Sequence, residues 1–330
     1  MRPILNKARG AAVAAWRGTH HGAEYLCVAE EPGLYRPQAT LGMATKGCAI
    51  DVTATWLLVG IVPVVIAVPV PIGGDKAAAL DGANDCVLTL TDRPFVANTR
   101  WHGCVSTSEW LARLRLRRVS THTICGQHVH VFEATHGRHR LLGPRARLGI
   151  VSHDRFASWR RGPADRVDPL RPEGNRYDQL RIGYATARPV LAATVMSKSG
   201  SNTFPIDLQG PLGSNGRLVS LREGAKVGEQ IGASKSFAVS TIAAQGSAWL
   251  YGLGRNHMAA LQPFANGTKK PRGDCDKSVM KQLLPPLAVR TELVKIQAIE
   301  TVGLHRLHLC EVRDVIDHTP AQPTVAHLHL

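Results

Sequence analysis

Residues Arg188–Ser220 read RPVLAATVMSKSGSNTFPIDLQGPLGSNGRLVS. An apolar run from Val190 to Met196, with Val, Leu and Thr prominent, predicts a strand with at least one buried face. The run breaks into Ser197-Lys198-Ser199-Gly200-Ser201-Asn202-Thr203, a turn full of hydroxyl and amide donors with one lysine. A second short strand, Phe204 to Leu208, follows, and Gly210-Pro211 marks another turn before the next apolar segment. Two strands closed in this way can gather backbone N–H groups and hydroxyls around a phosphate. Most Ser/Gly-rich hairpin turns are only turns, so composition leaves both readings open.

Working outward, 330 residues are enough for two domains of ordinary size. A hydrophobic content of 44% indicates a folded protein, and with aromatics at 5% the core must be mostly Val, Leu, Ile and Ala. The 31 glycines and 20 prolines favour short strands and turns over long helices. The net charge of +15 admits nucleic acid, an anionic membrane or an anionic ligand. In the first half the excess is almost all arginine, scattered along the chain. Its one concentration, Arg113-Leu114-Arg115-Leu116-Arg117-Arg118, alternates as a strand with leucines inward and arginines outward. That pattern is read as a solvated face, and nucleic acid is not an expected partner.

The seven cysteines are odd in number and form no CxxC pair, and several lie in apolar runs. The pattern points to a reducing compartment, with cytoplasmic localisation expected. The N-terminus lacks the apolar core of a signal peptide. Trp56 to Ile72 is the most apolar run, but Pro63, Pro69 and Pro71 interrupt it, so it predicts two buried strands and no membrane partner.

A repeat emerges when the two halves are aligned. Arg36-Pro37 precedes Thr45-Lys46 at the same spacing as Arg188-Pro189 precedes Ser197-Lys198, and Ile50-Asp51 answers Ile206-Asp207. Each half then reads strand, lysine-led short helix, strand (Lys76 to Val87, Lys226 to Val239). Each half also carries a late strand alternating His with apolar residues, His128–Glu133 and His305–Glu311. Such ordered recurrence predicts a tandem architecture. The expected division is a lead-in over 1–33 with Ala11–Trp16 helical, a first barrel over 34–160, a linker over 161–179 and a second barrel over 180–330. The Pro/Arg/Asp-rich stretch Arg160–Arg176 suits the linker, and Tyr251–Pro286 reads as a long loop or helical excursion.

The second half resembles the flavin reductase-like family, whose members bind FMN on a split β-barrel. The likeness rests on the strand Val190–Met196, the turn Ser199-Gly200-Ser201-Asn202 and the polar strand Phe204–Gln209. It continues through Gly210-Pro211, Arg217–Arg222, the helix Lys226–Ser234, the strand Phe237–Thr241 and the late strand Leu307–Val312. It covers about 180–330, and a fainter copy over about 34–160 ends in Leu148–Phe156. The resemblance implies a mainly β fold with short helices, built as tandem flavin reductase-like split β-barrels. It also implies hydride transfer from NADH or NADPH to FMN, with an oxygenase as a partner that takes the reduced flavin. The cofactor-binding residues it implies are Ser197, Lys198, Ser199, Ser201, Asn202, Thr203, Arg222 and Lys226 for the phosphate. Backbone amides beside Asp207 and Gln209 are assigned to the ring edge. Because the flavin carries the redox chemistry, no catalytic acid or nucleophile is specified. Departures are the single Pro211 where paired prolines are usual, Gly228 where a threonine or serine is usual, and a first-half turn cut to Thr45-Lys46-Gly47-Cys48. Family members bind flavin near a dimer interface, so the tandem chain is expected to form that dimer internally, or a homodimer, with the second half keeping the cofactor.

Other constellations are weaker. His128 and His130 share a strand face as two metal ligands would, with His136 and His139 nearby and His327 and His329 at the end, but sequence fixes no third ligand. No GxSxG elbow, P-loop or GxGxxG is present. Cys48 beside Lys46 reads as a structural thiol before a reactive one. Two readings besides the reductase stay open: a flavin-holding barrel module without turnover that acts in assembly, and a basic protein binding nucleic acid through the arginine strand.

Overall fold

The computed structural model describes residues 25–30, 37–43, 48–91, 110–141, 152, 174–264, 284–318 and 324–329. Ala11–Trp16, Lys46, nearly all of Leu148–Phe156 and the Pro/Arg-rich stretch before Gly174 lie outside these residues. The first described element is β1 (Tyr25–Glu30). A first series follows: β2 (Gln38–Met43), β3 (Cys48–Asp51), β4 (Leu57–Ile61), β5 (Val64–Pro71), helix α1 (Asp75–Leu80), β6 (Asp85–Thr91), β7 (Trp110–Ile124) and β8 (Gln127–His139). After α2 (Asn175–Gly183) and the two-residue β9 (Arg188–Pro189) comes a second series. It consists of β10 (Leu191–Ser197), β11 (Gly200–Ile206), β12 (Gln209–Leu212), β13 (Gly216–Arg222), α3 (Lys226–Ser234), β14 (Ser236–Ile242), α4 (Ser247–Gly252), β15 (Ala288–Val302) and β16 (His305–Asp317). The chain closes with β17 (Thr324–His329).

Both series form a seven-stranded antiparallel sheet, and the strand orders correspond one to one: β3-β2-β6-β7-β8-β5-β4 and β11-β10-β14-β15-β16-β13-β12. The protein is therefore mainly β, with two split β-barrels and few short helices, as expected. A third sheet, β1-β17-β9, joins the beginning and end of the chain to the start of the second series. Among the described residues no helix is long and apolar enough to cross a membrane.

Local sequence accounts for these elements. The apolar run around Pro63 becomes the β4–β5 hairpin, in which every β5 residue except Pro71 is buried. Pro205 and Pro211 lie on β11 and β12, the two outermost strands of the second sheet, where a missing N–H is tolerated. α3 turns Val227 and Ile231, one helical turn apart, into the barrel and ends at Lys235, a left-handed residue (φ 56°) whose N–H reaches the Ile231 carbonyl. Each barrel has its own apolar core. Leu41, Leu58, Ile66, Leu88, Leu114 and Phe132 are central to the first. Val195, Phe204, Val219, Ile231, Phe237 and Val294 are central to the second.

Helix α2 differs from its sequence reading. Its first residues fall in the stretch expected to be linker, and Leu180, Ile182 and Tyr184, expected to open the second barrel, pack into the first core. The Asn175 amide fastens the helix to β8, accepting from the Gly137 N–H (2.6 Å) and donating to the Gly137 carbonyl (2.7 Å). Charge and polarity misread the segment, because its apolar positions are few and only tertiary packing identifies their side.

The two barrels meet through a third apolar cluster. Leu57, Val59, Val65, Val129 and Val131 of the first pack on Leu212, Leu218, Val302, Leu307 and Leu309 of the second. The contacts are reciprocal. The β15–β16 tip sits on the β4–β5 turn, where the Leu304 N–H donates to the Val62 carbonyl (2.9 Å) and a side chain at Gly303 would collide with Pro63. The β7–β8 tip sits on the β12–β13 turn, with Cys125 and Gln127 against Gly216 and Gly213. His122 and Glu300 hold equivalent places on β7 and β15, each two residues before the end of its strand. They bond to each other at 2.6 Å. Contact between equivalent residues marks the local two-fold relation between the barrels, as in an isologous interface.

Candidate functional site

The predicted phosphate turn is a two-residue hairpin, with Ser197 paired to Gly200 and Lys198-Ser199 at the tip. The Ser197 and Ser199 hydroxyls bond to each other at 2.7 Å, and the Ser199 N–H donates to Ser197 Oγ at 3.1 Å. Lys198 projects into solvent. Because β10 runs antiparallel to β14 with Val195 opposite Phe237, this turn lies at the end of the sheet where α3 finishes.

β11 alternates buried and half-buried residues, so Asn202, Phe204 and Ile206 point inward. Asn202 donates through Nδ2 to Gln230 Oε1 on α3 (3.1 Å) and to the Asn256 carbonyl (3.0 Å), while its Oδ1 is buried without a partner. The Thr203 hydroxyl bonds to that of Thr194 (3.0 Å), and the Thr203 carbonyl accepts from Asn256 Nδ2 (2.7 Å). Ser201 exchanges both backbone bonds with Gln262. His257 stacks on Phe204 with ring centroids 5.1 Å apart, and burial lowers its pKa despite hydrogen bonding at Pro205 and the nearby Asp207 charge. The excursion after β14 thus covers β11, and three expected phosphate donors are engaged by it or by neighbouring strands. Gln230, Asn256, His257 and Gln262 carried no motif that could have announced this role.

Asp207 and Gln209 are also engaged. Asp207 Oδ2 accepts from the Tyr184 hydroxyl (3.1 Å), and the Gln209 N–H donates to the Asp207 carbonyl (3.0 Å). The Gln209 amide, expected to serve a ring edge, is therefore turned to its own chain. Its side chain is buried, donating to the Pro189 carbonyl (3.0 Å) and accepting from Arg217, whose Nε pairs with Glu292 at 2.6 Å. Burial alone would raise the Glu292 pKa, but the Arg217 and Arg290 guanidiniums hold it below its usual value.

Arg222 and Lys226 are placed differently. Arg222 ends β13 and Lys226 opens α3, both exposed, and among the described residues neither side chain has an acidic partner. The N-terminus of α3 carries no side-chain cap, because Ala225 occupies that position. The Gly228 N–H already reaches the Ala225 carbonyl (2.9 Å), and the remaining first-turn N–H groups with the positive end of the helix dipole favour an anion there, although Glu229 in the same turn opposes it. α3 is roughly 13 Å long, nine residues at 1.5 Å each, and the hairpin turn lies toward its other end. The donors named from sequence thus divide: Ser197, Lys198 and Ser199 at one end of α3, Arg222 and Lys226 at the other, and Asn202 along its side.

Opposite Arg222 on β16 stands His305. Its Nε2 accepts from the Ile61 N–H (3.0 Å), so that nitrogen carries no proton, and its Nδ1 faces the Ser220 hydroxyl at 3.4 Å. Burial first, then Arg222, push its pKa down to about 4, against the attraction of Asp207. The first barrel brings Ile61 and Tyr184 to this edge of the second.

The equivalent place in the first barrel is closed upon itself. Lys76 Nζ donates to the Asp51 carbonyl (2.6 Å), and the Asp51 carboxylate accepts from the Thr53 hydroxyl (2.7 Å) and N–H (2.8 Å). Asp75 also lies in the first turn of α1. Elsewhere, His128 and His130 have ring centroids 6.3 Å apart, and no group of three or more potential metal ligands occurs among the described residues. Cys48 is half-buried, while burial raises the Cys86 and Cys310 thiols to about 11 and 12.

No protein-family model matches the chain, and no curated protein sequence does. Among solved structures, the flavin reductase PheA2 in its native state is similar at 18% identity. The match covers 48% of this chain and 99% of that one, with a TM-score of 0.36. The NADH:FAD oxidoreductase SgcE6 of Streptomyces globisporus C-1027 is similar at 19% identity, over 48% of this chain and 90% of that one, with a TM-score of 0.36. An FMN-binding protein from Thermus thermophilus is similar at 14% identity, over 40% and 73%, with a TM-score of 0.32. These names fall in the group that the resemblance of residues 180–330 implies.

Proposed function

We propose that the second barrel binds a flavin nucleotide, with the phosphate at the N-terminal turn of α3 between Arg222 and Lys226, and passes hydride to it from NADH or NADPH. The observation that carries this reading is the pair of exposed cations, without acidic partners among the described residues, at an uncapped helix end, beside a first barrel whose matching lysine is bonded to its own chain. The residues fit a phosphate in kind: two cations and free backbone donors. When bound, the flavin supplies the redox chemistry, accepting a hydride and yielding electrons onward. The chain supplies placement. Arg222 and Lys226 neutralise the phosphate, and the partly buried Asn202–Gln230–Asn256 network fixes β11 against α3. The first barrel closes the edge through Tyr184 and Ile61, as the wall of an internal pseudo-dimer.

FMN is the proposed cofactor and an oxygenase the proposed recipient of reduced flavin, in the cytoplasm. A flavin-holding module without turnover is a second reading, favoured by the cover of residues 253–262 over β11. Added FMN tests both, since protein that takes up no flavin defeats each. NAD(P)H oxidation in the presence of FMN supports the enzyme, and uptake without oxidation supports the module.

A further inference from the structure

We propose that residues 253–262 form a strap that closes the outer edge of β11 at neutral pH and releases it in mild acid, with His257 as the latch. β11 is an outermost strand of its sheet, and the strap takes the backbone groups that a further strand would take. Gln262 exchanges both backbone bonds with Ser201, at 2.9 and 2.8 Å. Two residues on, the Thr203 carbonyl accepts from Asn256 Nδ2 (2.7 Å). Two further, Pro205 has no N–H to leave bare, and its carbonyl accepts from the His257 ring. Gly200 lets the strap come this close, since a side chain there would collide with the Gln262 carbonyl.

The seat is complementary but lightly held. No residue from 253 to 262 is buried, and Arg255 and Met258 are exposed. Polar bonds do most of the holding: the Asn256 carbonyl accepts from Asn202 Nδ2 (3.0 Å), and the Ala259 carbonyl accepts from Gln230 Nε2 (2.9 Å). The apolar contacts are the His257 ring on Phe204, with centroids 5.1 Å apart, and the partly buried Leu253 and Leu261. A segment with so little buried apolar surface opens at a lower free energy than the barrel beneath it. Closure also seals Asn202 Oδ1 away from any donor, a cost that opening relieves by admitting water.

The latch follows from where the His257 ring sits. The charged and titratable groups on the elements around it are Lys198 at the β10–β11 turn and Asp207 just after β11. Lys226, Glu229 and Lys235 lie on α3 and at its end, Tyr251 on α4 and Arg255 in the strap itself. Of these, Asp207 attracts a proton to the ring, as the Pro205 carbonyl does, but burial outweighs both and lowers the pKa of the closed state. Once the strap opens, the ring meets water and titrates near about 6.5. The open form therefore binds more protons as pH falls below about 6.5, so closure is fully favoured above that value and weakens beneath it.

The test is amide hydrogen exchange of the full chain, followed by mass spectrometry on peptides spanning residues 253–262. Each rate is divided by that of the denatured chain at the same pH, which removes the intrinsic pH dependence of exchange. Protection of the strap should fall severalfold, and by at most about 10-fold, between roughly pH 7.5 and 5.5, while β14 keeps its protection. H257F retains a ring against Phe204 but has no proton to gain, so its strap should show the same protection at both pH values. G200V should leave the strap open at both, with circular dichroism confirming the barrels. Strap protection that does not change with pH in the parent would overturn the proposal. So would a pH effect that persists in H257F, which would trace the loosening to other histidines such as His130 or His305. A strap still protected in G200V would show that the seat on Gly200 does not hold it, and would overturn the proposal as well.

Discussion

Replacing Lys226 by Ala probes the phosphate placement with internal controls. A hydrogen bond to a charged group contributes about 1.5–3 kcal/mol where it is shielded, and the exposure of Lys226 places it at the lower end, so FMN affinity should fall about 10-fold. R222A should act similarly, and the double variant should lose about 30- to 100-fold. Lys198 lies toward the other end of α3, a helix roughly 13 Å long. That exceeds the screening length of about 10 Å at 0.1 M salt, so K198A should change affinity less than about 2-fold. K76A should also be silent, because Lys76 is held by the Asp51 carbonyl in the other barrel. Flavin fluorescence quenching measures each constant, and riboflavin, which lacks the phosphate, should bind all variants alike. If K198A weakened FMN as much as K226A, the phosphate would belong to the hairpin turn and the reasoning from the helix end would be wrong.

Three further outcomes test the frame around that site. His305 titrates at about 4 in the fold and near 6.5 when unfolded, so the unfolded chain binds more protons between these values. Stability should be complete above about pH 6.5 and decline as pH falls toward 4. H305Q, which retains an acceptor for the Ile61 N–H, should lessen that decline in urea titrations, the rest persisting because burial also lowers His130 to about 4. G303V should lower stability by about 2–4 kcal/mol, since φ is +58° there and a side chain would strike Pro63; an unchanged denaturation midpoint would contradict the interlocked turns. E292A should cost about 3–5 kcal/mol by leaving the largely buried Arg217 unpaired, and E292Q, which keeps an acceptor oxygen, should cost less in the same unfolding assay.

The architecture was legible where patterns are local. The β4–β5 pair followed from an apolar run broken by Pro63, α3 from Lys226–Ser234, and the strands β8 and β16 from their alternating histidines. Equal strand order in the two sheets is the three-dimensional form of features that recur in one order along the chain. The site was legible only in part. Composition collected every donor between Ser197 and Thr203, yet hydroxyls and amides serve a fold as readily as a ligand. Asn202 and Thr203 turned out to bind α3, Asn256 and Thr194. Helix α2 was hidden because its allegiance depends on where Leu180 and Tyr184 pack, and no periodicity records that. Tyr184 and Ile61 reach the site edge across the barrel interface, a relation that spacing along the chain does not carry.

The account rests on a flavin held by the second barrel and reduced by a nicotinamide nucleotide. Its most direct test is the visible absorbance of the purified chain with FMN during anaerobic titration with NADH and then NADPH. The account predicts flavin absorbance that travels with the protein and bleaches near stoichiometry with one of the two donors, and a K226A/R222A variant that fails to retain the colour. A chain that takes up no FMN, or holds FMN that neither donor bleaches, would contradict it.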